Sequence, residues 1–278
     1  LLEKKIGLTY YINLLDTLKL TEVEDVLKKL KTELSFTKKE VEGFGDIKNK
    51  TKNFSKAINL FTERQNKLIS SHKLSNELHK IAKKLSRNKD CISLMVIAAD
   101  IKNHGFGIAE VHLRVNASQI HNAMSFELGW DIFDKNNLIS SKNLLDKLSK
   151  KLVTEKKWEI NFKNLDDETA IAKRQLMLAT QIFKHIDSDQ PIRFLIAECE
   201  QSISIFSALF LAKKLDIHKK IDISPLFETK YGLEHGHEVL KDLLLQESFV
   251  KYITARKRLS IQTGFSDAGR FIGQIAAN

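Results

Sequence analysis

Residues 221–267 read IDISPLFETKYGLEHGHEVLKDLLLQESFVKYITARKRLSIQTGFSD. Two short apolar runs, 221–227 and 259–265, each lead into an acidic residue, Glu228 and Asp267. Between them Leu240, Leu243, Leu244 and Val250 recur near helical spacing, which predicts one amphipathic helix over 233–253. The order is strand, helix, strand, with a carboxylate beyond the C-terminal end of each strand. In an α/β barrel those ends form one face, where residues distant in sequence converge. Two converging carboxylates suit a hard divalent cation, which takes oxygen ligands and keeps several waters. The same acids also fit a plainer role, each capping the helix that follows it.

Further upstream, GIAEVHLRV at 107–115 and IRFLIA at 192–197 read as buried strands of the kind found in parallel sheets. His112 lies on the first, expected to be buried or sheet-facing, and His121 in the helix that follows. A basic amphipathic helix is expected over 142–151, loop over 158–164 and helix over 166–186. DSDQP at 187–191 is a turn with strong breaker chemistry, and a helix at 204–215 follows the second strand. Glu198 is a third acid at a strand end, assigned to local structure. His235 and His237 are two apart across a glycine, which does not put both on one helix face, so a loop opening the helix is expected there. Repeated strand–helix order argues for parallel strands with right-handed crossovers.

Residues 1–89 read as helices without a chemical motif. Apolar residues at 8, 11, 12, 15 and 18 mark the first helix. Thr21 with Glu24 forms a capping box opening a second helix to about residue 34. A short helix is expected from Ser35, and one or two over 54–85 with a break near Ser70-Ser71. Another helix covers 90–102 and ends at His104-Gly105. Only two prolines interrupt the chain, so long helices meet few breakers. The expected division is a helical scaffold over 1–89 and βα units over 90–278.

A chain of 278 residues with 42% hydrophobic content supports a sizeable core, and no apolar run is long enough to span a membrane. The chain opens on Leu without a charged-then-apolar leader, which reads as no signal peptide and as a piece of something longer. Cys91 and Cys199 are too few for a disulfide framework and lack zinc spacing, and read as buried thiols of a cytosolic protein. The net charge of +10 is unevenly spread. Residues 1–89 hold 20 Lys and Arg against 11 Asp and Glu, whereas 90–278 hold 25 against 24. The excess is scattered in pairs such as Lys28-Lys29, as on a solvated helix face. Phe44, Phe54 and Phe61 form no RNA-binding module, so nucleic-acid binding by these helices is a minor reading. Gly105-Phe106-Gly107 lacks the third glycine of a dinucleotide fingerprint.

PLFET at 225–229 followed by GFSD at 264–267 resembles phosphoenolpyruvate carboxylase. In that family a PLFET and a GYSD segment each supply one acidic ligand to a catalytic magnesium or manganese ion, which places the metal ligands on Glu228 and Asp267. The family continues GYSDSxKDAG, whereas this chain reads GFSDAGRFIG, so Arg270 stands in the place of a lysine and Phe271 in that of an aspartate. IAEVHLRVNAS at 108–118 is similar to LVRLDIRQES, whose arginine lies in the phosphoenolpyruvate site. Arg114 keeps that arginine, while Val115-Asn116 replace Gln-Glu. A guanidinium can pair bidentately with phosphate or carboxylate oxygens, although a salt bridge at the strand end is the plainer role. Residues 192–215 resemble the family's YVISMxxSxSDVLxVxLLLKE, in which Glu198 has no counterpart.

The resemblance implies a helix-rich α/β fold, a partial (β/α)8 TIM-type barrel completed outside these residues, with an N-terminal helical region. It implies a lyase of carbon dioxide fixation that joins phosphoenolpyruvate and bicarbonate into oxaloacetate and phosphate, as a cytoplasmic homotetramer. Arg114 and Arg270 are the implied catalytic residues, with Arg114 also binding substrate. The family's upstream catalytic histidine segment and downstream GRGG loop do not occur here, so neither His112 nor His121 inherits a catalytic role. This portion alone is expected to be inactive, and to self-associate or expose apolar surface. The alternative is a non-catalytic homologue serving as a scaffold or interaction module.

Overall fold

The computed structural model describes residues 1–46, 67–110, 112–128, 138–154, 156–160, 162–273 and 275. The chain divides into two compact units, one of Leu1–Glu110 with Gln181–Gln190, the other of Val111–Thr180 with Pro191–Asn278.

The first unit holds α1 (Leu2–Thr17), a 3-10 turn (Thr21–Val23), α2 (Glu24–Asp46), α3 (Ser71–Ala82) and α4 (Asn88–His104). α1 buries Leu8, Tyr11 and Leu15, one stripe at helical spacing. A Cβ on Gly7 would come 2.4 Å from the Phe106 carbonyl oxygen, so only glycine lets α1 lie this close to that loop. The expected capping box does not form. Thr21 opens the 3-10 turn after Leu20 without a side-chain cap bond, and Glu22 accepts from Ser86 instead. α2 then runs through the break expected at Ser35. The Thr37 hydroxyl donates to the carbonyls of Glu33 and Leu68, which keeps a polar residue buried inside the helix. Ser70 caps α3, its hydroxyl accepting from the Lys73 amide. The part of the 54–85 expectation before residue 67 lies outside the described residues. α4 ends at Gly105 with φ 66°, the left-handed residue expected there.

The DSDQP turn is built around Asp187, which accepts from Lys4 Nζ at 2.7 Å and from the amides of Phe106, Asp189 and Gln190. The strand expected from residue 107 starts later. The Glu3 carboxylate accepts from the amides of Ile108 and Ala109, which removes those donors from any ladder.

The remaining elements are β1 (His112–Asn116), α5 (Ala117–Leu128), α6 (Leu138–Thr154), α7 (Phe162–Asp167), α8 (Ile171–His185), β2 (Ile192–Ala197), α9 (Ser202–Lys214), β3 (Ile221–Phe227), α10 (Lys230–Leu244), α11 (Glu247–Arg256), β4 (Gln262–Thr263) and α12 (Phe265–Ile272). α7 occupies part of the expected 158–164 loop. The four described strands form a parallel sheet in sequence order, β1-β2-β3-β4. Parallel neighbours cannot be joined by hairpins, and helices make the crossovers here. His112 is exposed, not buried, while β3 is buried along its whole length. α9 is buried from Ser202 through Ala212 on every face, in keeping with a sequence whose only polar residues over that span are small serines.

Asp222, buried in β3, is paired with Arg256 Nε at 2.8 Å and Arg258 Nη1 at 3.3 Å. The Tyr252 hydroxyl donates to the Ile221 carbonyl and accepts from the Ile223 amide, which fixes the start of β3 against α11.

Three further expectations are corrected. The single helix over 233–253 is two, because the buried residues Leu243 and Phe249 are six apart and a break at Leu245-Gln246 resets the phase. His235 and His237 lie inside α10, which begins before them because Thr229 caps it by accepting from the Gly232 amide. His237 is exposed, and the half-buried His235 stacks on Tyr231 at 4.4 Å. The apolar run 259–265 pairs only at Gln262–Thr263, since Leu259 and Ile261 are exposed and Phe265 already opens α12. The molecule is thus a helix-rich α/β protein with a four-stranded parallel sheet, and no described helix is long and apolar enough to cross a membrane.

Candidate active site

Arg114 lies on β1 and Glu228 directly follows β3, so the two flank β2 near the C-terminal side of the sheet. The guanidinium crosses that gap. Arg114 Nη2 donates to Glu228 Oε1 at 3.3 Å and Oε2 at 3.4 Å. One nitrogen is shared between two oxygens, so this is not the two-nitrogen fork that makes the strongest pairs. The Glu228 side chain is 6% exposed and that of Arg114 54%. The carboxylate is therefore fixed in the protein, whereas the guanidinium reaches it from solvent. The Glu198 amide adds a second donor, 3.0 Å from Glu228 Oε1.

The PLFET and GFSD segments lie side by side. Leu226 pairs with Gln262 and Phe227 with Thr263, and the Gly264 amide donates to the Phe227 carbonyl at 3.0 Å. A Cβ on Gly264 would stand 2.5 Å from Glu228 Cβ, a distance real side chains do not reach. Glycine is required here by close approach. Asp267 lies in α12, three residues past Gly264, in a helix and not at a strand end as expected. Its side chain lies outside the described residues. Arg270 is exposed in the last turn of the same helix.

A cavity of about 230 Å³ is lined among others by Ser118, His121, Glu198, Glu200, Ser204 and Thr229. These residues follow β1, β2 and β3, so the cavity belongs to the face that the sequence pattern pointed to. His121 Nε2 lies 2.8 Å from Ser204 Oγ. Burial lowers the His121 imidazole to about 4, so it is neutral at ordinary pH. Thr229 donates to Glu200 Oε1 at 2.7 Å. Cys199 is buried and its thiol is pushed up to about 12, an inert group; Cys91 is half-buried rather than buried as expected.

Glu198 was expected only as a strand-end acid of local structure; its contribution is a backbone amide that no side-chain pattern reports. Sequence reasoning missed Gly264, although a glycine between a strand and a helix is itself a signal of close approach.

Glu228 offers hard carboxylate oxygens, and a magnesium-type ion needs only one or two carboxylates beside its waters. The donor chemistry fits such a cation. Among the described residues no group of three or more His, Cys, Asp and Glu could hold a metal ion.

An arginine of β1 paired with a buried carboxylate just past β3 gives this parallel α/β protein a charged pair toward the side of the sheet where such folds place their sites. Residues 19–278 match the family model of phosphoenolpyruvate carboxylase, and the chain belongs to that family. The match supports a relationship to carboxylases of the lyase type.

Gly264→Ala should destabilise the fold by about 1–3 kcal/mol in urea unfolding, because the added methyl meets Glu228 Cβ. Wild-type stability in that variant would contradict the close approach.

His121 sets a pH window. Its buried value of about 4 lies below the ordinary 6.5, so between them the unfolded chain binds the extra proton. Its contribution is complete above about 6.5 and is lost as the pH falls toward 4. His121→Gln should flatten the fall of stability over that window in thermal unfolding. An unchanged slope would mean that the imidazole is not held neutral.

Proposed function

We propose that this chain carries part of the catalytic centre of a phosphoenolpyruvate carboxylase, which joins bicarbonate to phosphoenolpyruvate and gives oxaloacetate and phosphate. One observation carries the reading: Arg114 on β1 and Glu228 just past β3, the positions matching the family's substrate arginine and first metal ligand, are in contact. In this reading Glu228 and Asp267 hold one magnesium or manganese ion. When bound, such an ion supplies Lewis-acid stabilisation of the developing enolate oxygen.

The chain's own residues do the rest. Arg114 sits on the carboxylate through long bonds and a solvent-reaching side chain, so it is suited to turn to the more highly charged phosphate of the substrate. Arg270 supplies a second cation in the place of the family's lysine. The Glu198 amide keeps its bond to Glu228 throughout. His121 stays neutral and hydrogen-bonded to Ser204, contributing shape and no charge to the cavity. The same reading makes the sheet part of a (β/α)8 barrel, residues 1–89 its helical scaffold and 90–278 its βα portion, in a cytoplasmic homo-oligomer.

The second reading, a non-catalytic homologue acting as a scaffold, is favoured by the cavity lining. Glu198 and Glu200 both face a space that the enzyme reading leaves to anions. Like charge there disfavours phosphoenolpyruvate and bicarbonate.

Kinetics of the complete protein separate the two. Arg114→Lys should lower kcat/KM for phosphoenolpyruvate by about tenfold or more, with a smaller effect on bicarbonate, because an ammonium cannot reproduce a guanidinium's contacts. Manganese should bind in the wild type and be lost in both Glu228→Gln and Asp267→Asn. Absence of activity and of manganese binding in the wild type would select the scaffold.

A further inference from the structure

Three described non-glycine residues hold a left-handed backbone: Glu198 at φ 54°, Asp216 at φ 57° and Lys257 at φ 55°. L-residues with a Cβ rarely adopt this region, so each asks for a reason. For two of them the reason is ordinary. Asp216 comes just after α9 and Lys257 is the C-cap of α11, where a left-handed residue closes a helix. Glu198 ends no helix. It follows β2 directly, at the point where the chain leaves the sheet.

Its conformation aims an amide. In an extended strand successive N–H groups point to opposite sides, so two adjacent amides cannot both reach the same neighbouring strand. Here they do. The Glu198 amide donates to Glu228 Oε1 at 3.0 Å, and the next amide, that of Cys199, donates to the Leu226 carbonyl at 3.3 Å. The turn to φ 54° brings both amides to the end of β3. Consecutive amides turned to one side form the kind of concavity that accepts negative charge.

We infer that Glu198 is a positioning residue, whose left-handed backbone holds the Glu228 carboxylate in its metal-binding place when Arg114 leaves it. The inference rests on the reading of Glu228 as a metal ligand. It assigns unequal roles to two of the carboxylate's donors, Arg114 and the Glu198 amide. Arg114 is an exposed side chain at 3.3–3.4 Å and can be exchanged for substrate. The Glu198 amide is main chain at 3.0 Å and cannot swing away. The role belongs to the backbone, so the Glu198 carboxylate is dispensable for it and the φ angle is not.

The test uses the complete protein and two readouts. The first is amide hydrogen exchange without metal. In Glu228→Ala the Glu198 amide should lose its protection, while the Cys199 amide keeps its bond to Leu226 and its protection. Equal loss at both amides, or at neither, overturns the donor assignment whether or not the protein binds metal.

The second readout is manganese affinity. Glu198→Val, a β-branched residue disfavoured at positive φ, should weaken manganese binding about tenfold or more. Glu198→Gly and Glu198→Gln should bind as the wild type does, since glycine adopts the angle freely and glutamine keeps the backbone. Asp216→Val and Lys257→Val carry the same backbone conflict elsewhere and should lose stability without losing manganese affinity. Wild-type affinity in Glu198→Val, or equal weakening in all three valine variants, overturns the positioning role. A wild type that does not bind manganese removes the metal-ligand reading, and the positioning role with it, while hydrogen exchange still decides the bond.

Discussion

A carboxylate that is 6% exposed must be compensated where it lies, because water can no longer do so. Glu228 imposes that constraint on the sheet around it. Its charge is met by Arg114 from β1 and by the amide of Glu198 at the end of β2. Its Cβ is approached so closely by the residue after β4 that only glycine fits there. All four described strands, or the residues just beyond them, therefore answer to one side chain. They can do so because the strands are parallel and in sequence order, which brings their C-terminal ends to one edge.

The parts of the fold legible in the sequence are those where one local rule acts alone. β2 and β3 fall on their expected residues because both are continuous apolar runs between breakers. Gly105 ends α4 because only a left-handed residue fits there. Where two rules compete, the reading fails. The run 259–265 is apolar enough for a strand, yet Gly264 stops the pairing and caps α12. Residues 233–253 keep helical periodicity on average, yet the core takes Leu243 and Phe249, which one helix cannot bury together. The histidines of EHGHE lie inside a helix because Thr229 starts it earlier than the glycines suggested.

The site was legible in its side chains and opaque in its backbone. Glu228 and Arg114 could be named from their motifs, and the sheet brings them together. Nothing in the residue types announced that Glu198 would turn its amide onto Glu228, since a main-chain donor is common to every residue but proline. The cavity lining includes two acids, Glu198 and Glu200. Glu198 serves the carboxylate with its amide while its side chain brings negative charge into the same cavity. Under the proposed function an anionic substrate needs positive charge to offset these acids, the part that reading gives to Arg114 and Arg270.

The central claim is that Glu228 is held ready for a divalent cation and that Arg114 is its replaceable partner. Crystals of the complete protein grown with manganese and a phosphoenolpyruvate analogue test this directly, through the anomalous signal of the metal. The account predicts one peak about 2.1 Å from oxygens of both Glu228 and Asp267, with Arg114 moved from the carboxylate to the analogue's phosphate and the Glu198 amide still on Glu228. A peak elsewhere, or Arg114 still bound to Glu228 with the analogue in place, would contradict it.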